Sequence, residues 1–367
     1  MSDSCFVCTT PYQIIAASTI AIEEGKSSDL LIVPQFDKAV EYAERIRHLN
    51  IYEEVLLVNT KKIEAYKKRK NRLLYGLGII ANYLRLDEIV HEIIGNKDYK
   101  TIFISSQANI GRLMCLYFLQ KGKEIIYFDD GEGSYDDYKI YEAQGIDRTI
   151  RKLFFGKKSI RLSDRRLLYC PKIYEMTFGK SDHVSAIPNW SRDVNLTNVI
   201  NSICGYSEAA AINHKYVLLD TIPSENFEKS GQDKYEKLVD ICVDVIGKEL
   251  LIKKHPRDNR QYKKKCAIYQ YPAIPFEVLC ANSDVGNKVL ICSGSSAVLT
   301  PKLLFDAEPV VILLHHIVGS RLGDIEKRET LISCTKNLYQ DKSKFIVPET
   351  IEEFKASIET LKSREDV

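Results

Sequence analysis

The stretch TIFISSQANIGRLMCLYFLQKGKEIIYFDD, Thr101 to Asp130, decides the fold. A short β-branched run leads into an apolar segment of helical period, and a second run, EIIYF, then delivers two adjacent carboxylates, Asp129 and Asp130. Two strands joined by a helix call for parallel pairing. The same alternation precedes it: SCFVCTT, a helix from Pro11, DLLIVPQF, a helix from Asp37, then EVLLVN. Such punctuation predicts a parallel sheet covered by helices.

The pattern weakens across AIPNWSRDVNLTNVINS and resumes with KYVLLDT, a helix through KYEKLVDICVDVIG, then ELLIKKHP, KVLICSGSS, a further helix, VVILLHH and FIVPE. The expectation is an α/β chain of two Rossmann-like, doubly wound parallel-sheet domains facing a cleft, with ligands at the carboxyl ends of the strands. The first domain is expected over 1–190, a linker over 191–214, the second domain over 215–350 and a terminal helix over 351–367.

Composition narrows the class. With 367 residues and 45% hydrophobic content, the chain can bury two cores. Its 52 basic residues against 50 acidic ones speak against a nucleic-acid partner. The ten cysteines are scattered through apolar runs, as buried hydrophobes in a reducing cytoplasm would be. Cys5 and Cys8 form a C-x-x-C, but on a strand their odd separation points the thiols to opposite faces. The amino terminus lacks a basic-then-apolar leader, and no run approaches the ~20 apolar residues that span a bilayer, so neither export nor membrane crossing is expected.

Four elements carry chemistry. Asp129-Asp130-Gly131 ends a strand, where a carboxylate can take a proton from an attacking hydroxyl; an exposed Asx turn explains the same residues. His255 follows another strand and is held extended by Pro256, among Lys253, Lys254 and Arg257, a setting for a phosphate neighbour and a proton donor. Gly294, Ser295 and Ser296 lie between a strand and a helix, an arrangement that offers hydroxyls, amides and a helix dipole to an anion; simple serine capping competes with it. Glu277 opens a helical run after a proline-bounded loop, where it can accept from ribose hydroxyls or merely favour the helix terminus. No Walker loop or G-x-G-x-x-G follows any strand, which disfavours a P-loop kinase or an ordinary dinucleotide oxidoreductase. The pair His315-His316 also follows a strand, with no further ligands for a metal evident in the sequence.

The order of these elements resembles the bacterial sialyltransferases of glycosyltransferase family 52, and more distantly the polysialyltransferases and the multifunctional bacterial sialyltransferases. The resemblance rests on an (Asp/Glu)-(Asp/Glu)-Gly motif, here Asp129-Asp130-Gly131, on His255-Pro256 and on Ser295-Ser296, with CTTPYQ, Cys8 to Gln13, similar to the family's first strand and loop. It implies a GT-B architecture, CMP-sialic acid as donor, Asp129 as general base and His255 at the departing CMP phosphate. Lys254, Pro256, Glu277, Gly294, Ser295 and Ser296 would hold the donor. Thr10, Gln13, Ser106, Gln107, Asn109, Asp130 and Gly131 are candidate contacts to acceptor or sialic acid.

The implied reaction is inverting and needs no cofactor or metal, although Asp136 and Asp137 lengthen the acidic cluster. The expected partners are CMP-sialic acid and a galactose-ended bacterial surface glycan, free or lipid-linked, such as lipooligosaccharide, O-antigen or capsule. KKIEAYKKRKNRLL, Lys61 to Leu74, reads first as a solvated helix face; docking on anionic lipid at the inner face of the cytoplasmic membrane is its alternative. A homodimer is left open. A transferase of the same fold with another nucleotide-sugar donor and a non-catalytic two-domain sugar-binding protein are the rival readings.

Overall fold

A computed structural model describes residues 2–59, 63, 72–105, 109–135, 146–156, 165–223, 229–258, 260–319 and 325–364. The chain divides into two compact units, Met1–Cys204 and Gly205–Val367.

The first unit is built on strands β1 (Ser4–Cys8), β2 (Ser28–Ile32), β3 (Glu54–Leu57), β4 (Thr101–Ile104), β5 (Glu124–Phe128), β6 (Arg165–Leu168) and β7 (Val184–Ala186). They form one sheet in the order β3-β2-β1-β4-β5-β6-β7, every pairing parallel. Helices α1 (Pro11–Glu24), α2 (Ala39–Leu49), α3 (Arg72–Leu84), α4 (Leu86–Ile94), α5 (Asn109–Gln120), α6 (Ile146–Phe155), α7 (Pro171–Phe178) and α8 (Val194–Cys204) accompany it. Local chemistry sets the α1 boundaries. Thr10 caps the Gln13 amide, Pro11 fills the first turn where no amide is needed, and Gly25 closes the helix in the left-handed region.

Strand β1 is buried on both faces, as a central parallel strand must be. Cys5 and Val7 join Ile102, Ile104 and the α5 residues Leu113 and Met114 in one core layer. On the other face Phe6 stacks on Phe103 at 4.2 Å and meets Phe128 edge-on at 6.1 Å. Full burial of each such side chain contributes about 1.5–3 kcal/mol. Cys5 and Cys8 are both buried and unoxidised.

The second unit repeats the plan. Its strands β8 (Tyr216–Leu219), β9 (Leu250–Lys253), β10 (Ala267–Ile268), β11 (Val289–Cys292), β12 (Val310–Leu313) and β13 (Phe345–Ile346) run in the order β10-β9-β8-β11-β12-β13, again all parallel. Helices α9 (Lys229–Ile246), α10 (Phe276–Ala281), α11 (Thr300–Phe305), α12 (His315–Val318), α13 (Ile325–Leu338) and α14 (Ile351–Ser363) complete it. In both sheets the strand order reverses beside the first strand, between β1 and β4 and between β8 and β11, the switch points at which doubly wound sheets take ligands. Two tandem Rossmann-like domains are the make-up of a GT-B-like fold.

The division falls at Cys204/Gly205, inside the stretch read from sequence as a linker. Leu196, Ile200 and Ile203 recur at helical spacing and are buried, so α8 packs on α1 and α2 and belongs to the first unit. The helix expected over 351–367 is α14, which buries Phe354 and Ile358 in the second core. No helix among the described residues is long and apolar enough to cross a membrane.

Candidate active site

In the first unit the site grows from the carboxyl ends of β1 and β5. Gly131 takes a left-handed φ of 87° directly after the acidic pair, which turns the chain sharply. Strand alternation then separates the two carboxylates. Asp129 points inward and is 0% exposed. Its Oδ1 accepts from the Tyr12 hydroxyl at 3.1 Å and the Gly131 amide at 2.7 Å; its Oδ2 accepts from the Tyr135 hydroxyl at 2.7 Å and the Tyr169 amide at 3.0 Å. Burial raises its pKa, against the pull of these four donors.

Asp130 faces the other way and is half-buried. Its Oδ1 accepts from Gln13 Nε2 at 2.6 Å, and its amide donates to Ser134 Oγ at 2.6 Å. Burial pushes its carboxyl up to about 7; the Gln13 hydrogen bond opposes the shift and the Asp129 charge adds to it. Gln13 is a buried clamp, since its Oε1 is also taken by the Thr9 amide and hydroxyl at 2.5 and 3.1 Å. Asp129 has two donors on each oxygen and so has its acceptor positions filled. Asp130 has Oδ2 free of any partner among the described residues and a pKa suited to proton transfer near neutrality.

In the second unit the β9 tip resolves Lys253 from Lys254. Lys253 is only 7% exposed and makes no hydrogen bond among the described residues; its Nζ lies 5.5 Å from the Tyr269 ring centre. Burial brings its pKa down to about 8, opposed by the charge of Glu277. Glu277, on α10, is in turn raised by burial and drawn back by Lys253. Lys254, the sequence candidate, turns into its own loop, donating to the Arg260 carbonyl and covering the Tyr262 ring at 5.3 Å.

His255 Nδ1 accepts from the Arg257 amide at 3.2 Å, so the neutral ring carries its proton on Nε2. The loop behind it is fastened by Arg260. That guanidinium bonds Asp258, the Thr221 carbonyl and both oxygens of Asp220, which closes β8 and also receives the Tyr235 and Tyr262 hydroxyls. Pro256 is exposed at the turn.

The serine turn departs from expectation. Ser296 opens a 3-10 turn, Ser296–Leu299, followed by the six-residue α11, too short for a strong dipole. Ser295 caps that turn through the Ala297 amide, and the Gly294 and Ser295 amides donate to Cys292 Sγ at 3.2 and 2.9 Å. The Gly294, Ser295 and Ala297 amides are thus occupied, which reduces what the turn offers an anion through its backbone. Ser293, after β11, has a buried hydroxyl with no partner among the described residues, and so does Ser105, after β4. Each flanks a switch point.

Asp129, Asp130, Gly131, Thr10 and Gln13 therefore come together in the first unit, while His255, Pro256, Gly294, Ser295 and Ser296 share the carboxyl edge of the second sheet. Ser106, Gln107, Asp136, Asp137 and most of Lys61–Leu74 lie outside the described residues; Asn109 opens α5 and its side chain is likewise outside them. Sequence reading missed Tyr12, Tyr135, Asp220 and Arg260, and took Lys253 only as part of the positive charge around His255. One signal was available: IIYFD and YVLLD both close an apolar strand with aspartate.

No protein-family model matches the chain, and no curated protein matches it either. Among solved structures it is similar to UDP-GlcNAc 2-epimerase from Neisseria meningitidis bound to UDP-GlcNAc, at 12% identity and a TM-score of 0.49 over 98% of this chain and 99% of that one. A putative UDP-N-acetylglucosamine 2-epimerase from Listeria monocytogenes gives 13% and 0.48 over 94% and 89%. Arabidopsis thaliana UGT89C1 complexed with UDP-L-rhamnose gives 10% and 0.45 over 98% and 99%. The architecture itself rests on the strand order and the parallel registers.

Proposed function

We propose that the chain is a glycosyltransferase using a nucleotide-activated sugar, and more narrowly an inverting sialyltransferase that moves sialic acid from CMP-sialic acid to a galactose-ended bacterial surface glycan. One observation carries the reading: all three motifs of the resemblance begin within three residues of the carboxyl ends of parallel strands, Asp129-Asp130-Gly131 after β5, His255-Pro256 after β9 and Ser295-Ser296 after β11. The unpaired Ser293 hydroxyl and the buried Lys253 beside Glu277 add polar groups suited to a nucleoside phosphate.

In this reading the base is Asp130, because Asp129 already accepts four hydrogen bonds. Asp130 Oδ2 takes the proton of the acceptor hydroxyl as its oxygen bonds the anomeric carbon. The bond from that carbon to the phosphate oxygen breaks, and the electron pair leaves with CMP. His255 Nε2–H and the serine hydroxyls stabilise the departing charge, so transfer proceeds without Mg²⁺. A single displacement inverts the centre.

The test is CMP release from CMP-sialic acid with lactose, with and without added Mg²⁺. Turnover should be equal in both, and Asp130→Asn and His255→Ala should each lower kcat on the order of 10²–10⁴-fold. Absence of CMP release with every galactoside sinks the sialyltransferase reading; an Asp130→Asn variant with wild-type turnover removes the assigned base.

A further inference from the structure

The adjacent histidines after β12 now have partners. His315 is 7% exposed and its Nε2 lies 2.8 Å from Glu329 Oε1, on α13; His316 Nε2 lies 3.4 Å from the same oxygen. The three ligand atoms fall within 4.8 Å of one another, and the two rings meet at 62° with centres 4.3 Å apart. His316 Nδ1 is 2.7 Å from Glu349 Oε1. An ionised carboxylate accepts only, so Nδ1 carries the hydrogen and the neutral ring directs the lone pair of Nε2 toward the Glu329 oxygen. In that tautomer a lone pair and a carboxylate oxygen repel at that distance unless a second ring proton or a cation lies between them.

We propose that His315, His316 and Glu329 bind one divalent transition-metal ion of the zinc class, with water completing the coordination. Zinc holds nitrogen and oxygen ligands at ~2.0–2.2 Å, which places neighbouring tetrahedral ligand atoms ~3.3 Å apart. The separations found here bracket that value. Glu349 supplies the outer carboxylate that fixes the tautomer and orientation of a ligating imidazole. Among the described residues, Glu329 faces both rings and Glu349 faces His316, against the guanidinium of Arg328 near His315. The ion would tie α12 to α13, with Glu349 bracing it from the turn before α14. This site is separate from the residues assigned to sugar transfer.

Tag-free, chelator-stripped full-length protein, equilibrated with Zn²⁺ and dialysed, should retain about one zinc per chain by mass spectrometry and unfold at a higher temperature than the stripped protein. Stripped protein loaded with Co²⁺ should show the visible absorption of tetrahedral nitrogen–oxygen coordination. His316→Ala and Glu329→Gln alter half-exposed side chains and should keep the wild-type circular dichroism while losing both the zinc and the thermal shift; His214→Ala should keep both. The proposal is overturned if the wild type retains no zinc, or if both variants retain as much as the wild type, which would place the ion on thiolates elsewhere. The readouts use no sugar nucleotide, so their failure leaves the transferase reading untouched.

Discussion

Asp130 connects stability and activity through one proton. Folding raises its pKa from the ordinary carboxylate value to about 7, chiefly by burial. Between about pH 4 and pH 7 the folded chain therefore holds a proton that the unfolded chain has released, and stability from this group falls as pH rises through that window. Below the window both states are protonated and above it both are ionised, so the slope vanishes. Asp130→Asn should remove the slope: at pH 8 the variant should melt above the wild type by on the order of 1–2 kcal/mol, after allowance for partial exposure, and at pH 4 the two should coincide. Turnover should run the other way in the wild type, rising with pH as Asp130 ionises. Paired melting curves and pH–rate profiles check both halves, and a variant that melts with the wild type at every pH removes the perturbed carboxyl. Asp129 shows what the sequence did not reveal at this scale. Strand alternation says that neighbours point apart, but the absolute face is set by Tyr12, Tyr135 and the Tyr169 amide, groups contributed from elsewhere in the chain.

The loop residues 254–258 and 260–262 act as one element because Arg260 bonds both Asp258 and Asp220. A buried Asp220 without its guanidinium is an uncompensated charge, so Arg260→Gln should cost about 3–5 kcal/mol of stability in the second unit. If the clasp positions His255, Arg260→Gln should also lower kcat, and the double variant with His255→Ala should be no slower than His255→Ala alone. Additive losses would show that the arginine acts elsewhere. The strands on either side of this loop differ in legibility. Strand β9 reads plainly from LLIK, whereas β10 is two residues long and gives no period. Strand β6 was hidden for another reason: it begins with Arg165 and Arg166, the latter buried with its guanidinium 5.2 Å from the Tyr174 ring centre, so a charged residue occupies a core position. Edge strand β7, VSA, is mostly exposed and carries no apolar run. The long central strands were legible because burial on both faces demands continuous apolar residues.

At the scale of the molecule, each sheet closes its own core: Cys5, Ile102, Met114 and their neighbours in the first unit, Tyr216, Tyr235, Ile291 and Phe354 in the second. Separate cores predict two calorimetric transitions, since cooperativity follows shared packing. The proposed donor residues Lys253, His255, Glu277 and Ser293 all belong to the second unit. CMP should therefore raise one transition by mass action, by about 2.7 kcal/mol at a hundredfold excess over its Kd, or roughly 5–10 °C for a unit of about 160 residues. Lys253→Met should abolish that shift, because it removes the buried amine beside Glu277 without opening a cavity. Asp130→Asn should leave it intact, because that carboxylate lies in the other unit. A CMP shift in the transition that Asp130→Asn also moves would place the nucleotide on the first sheet, and the assignment of donor and acceptor roles to the two units would have to be exchanged.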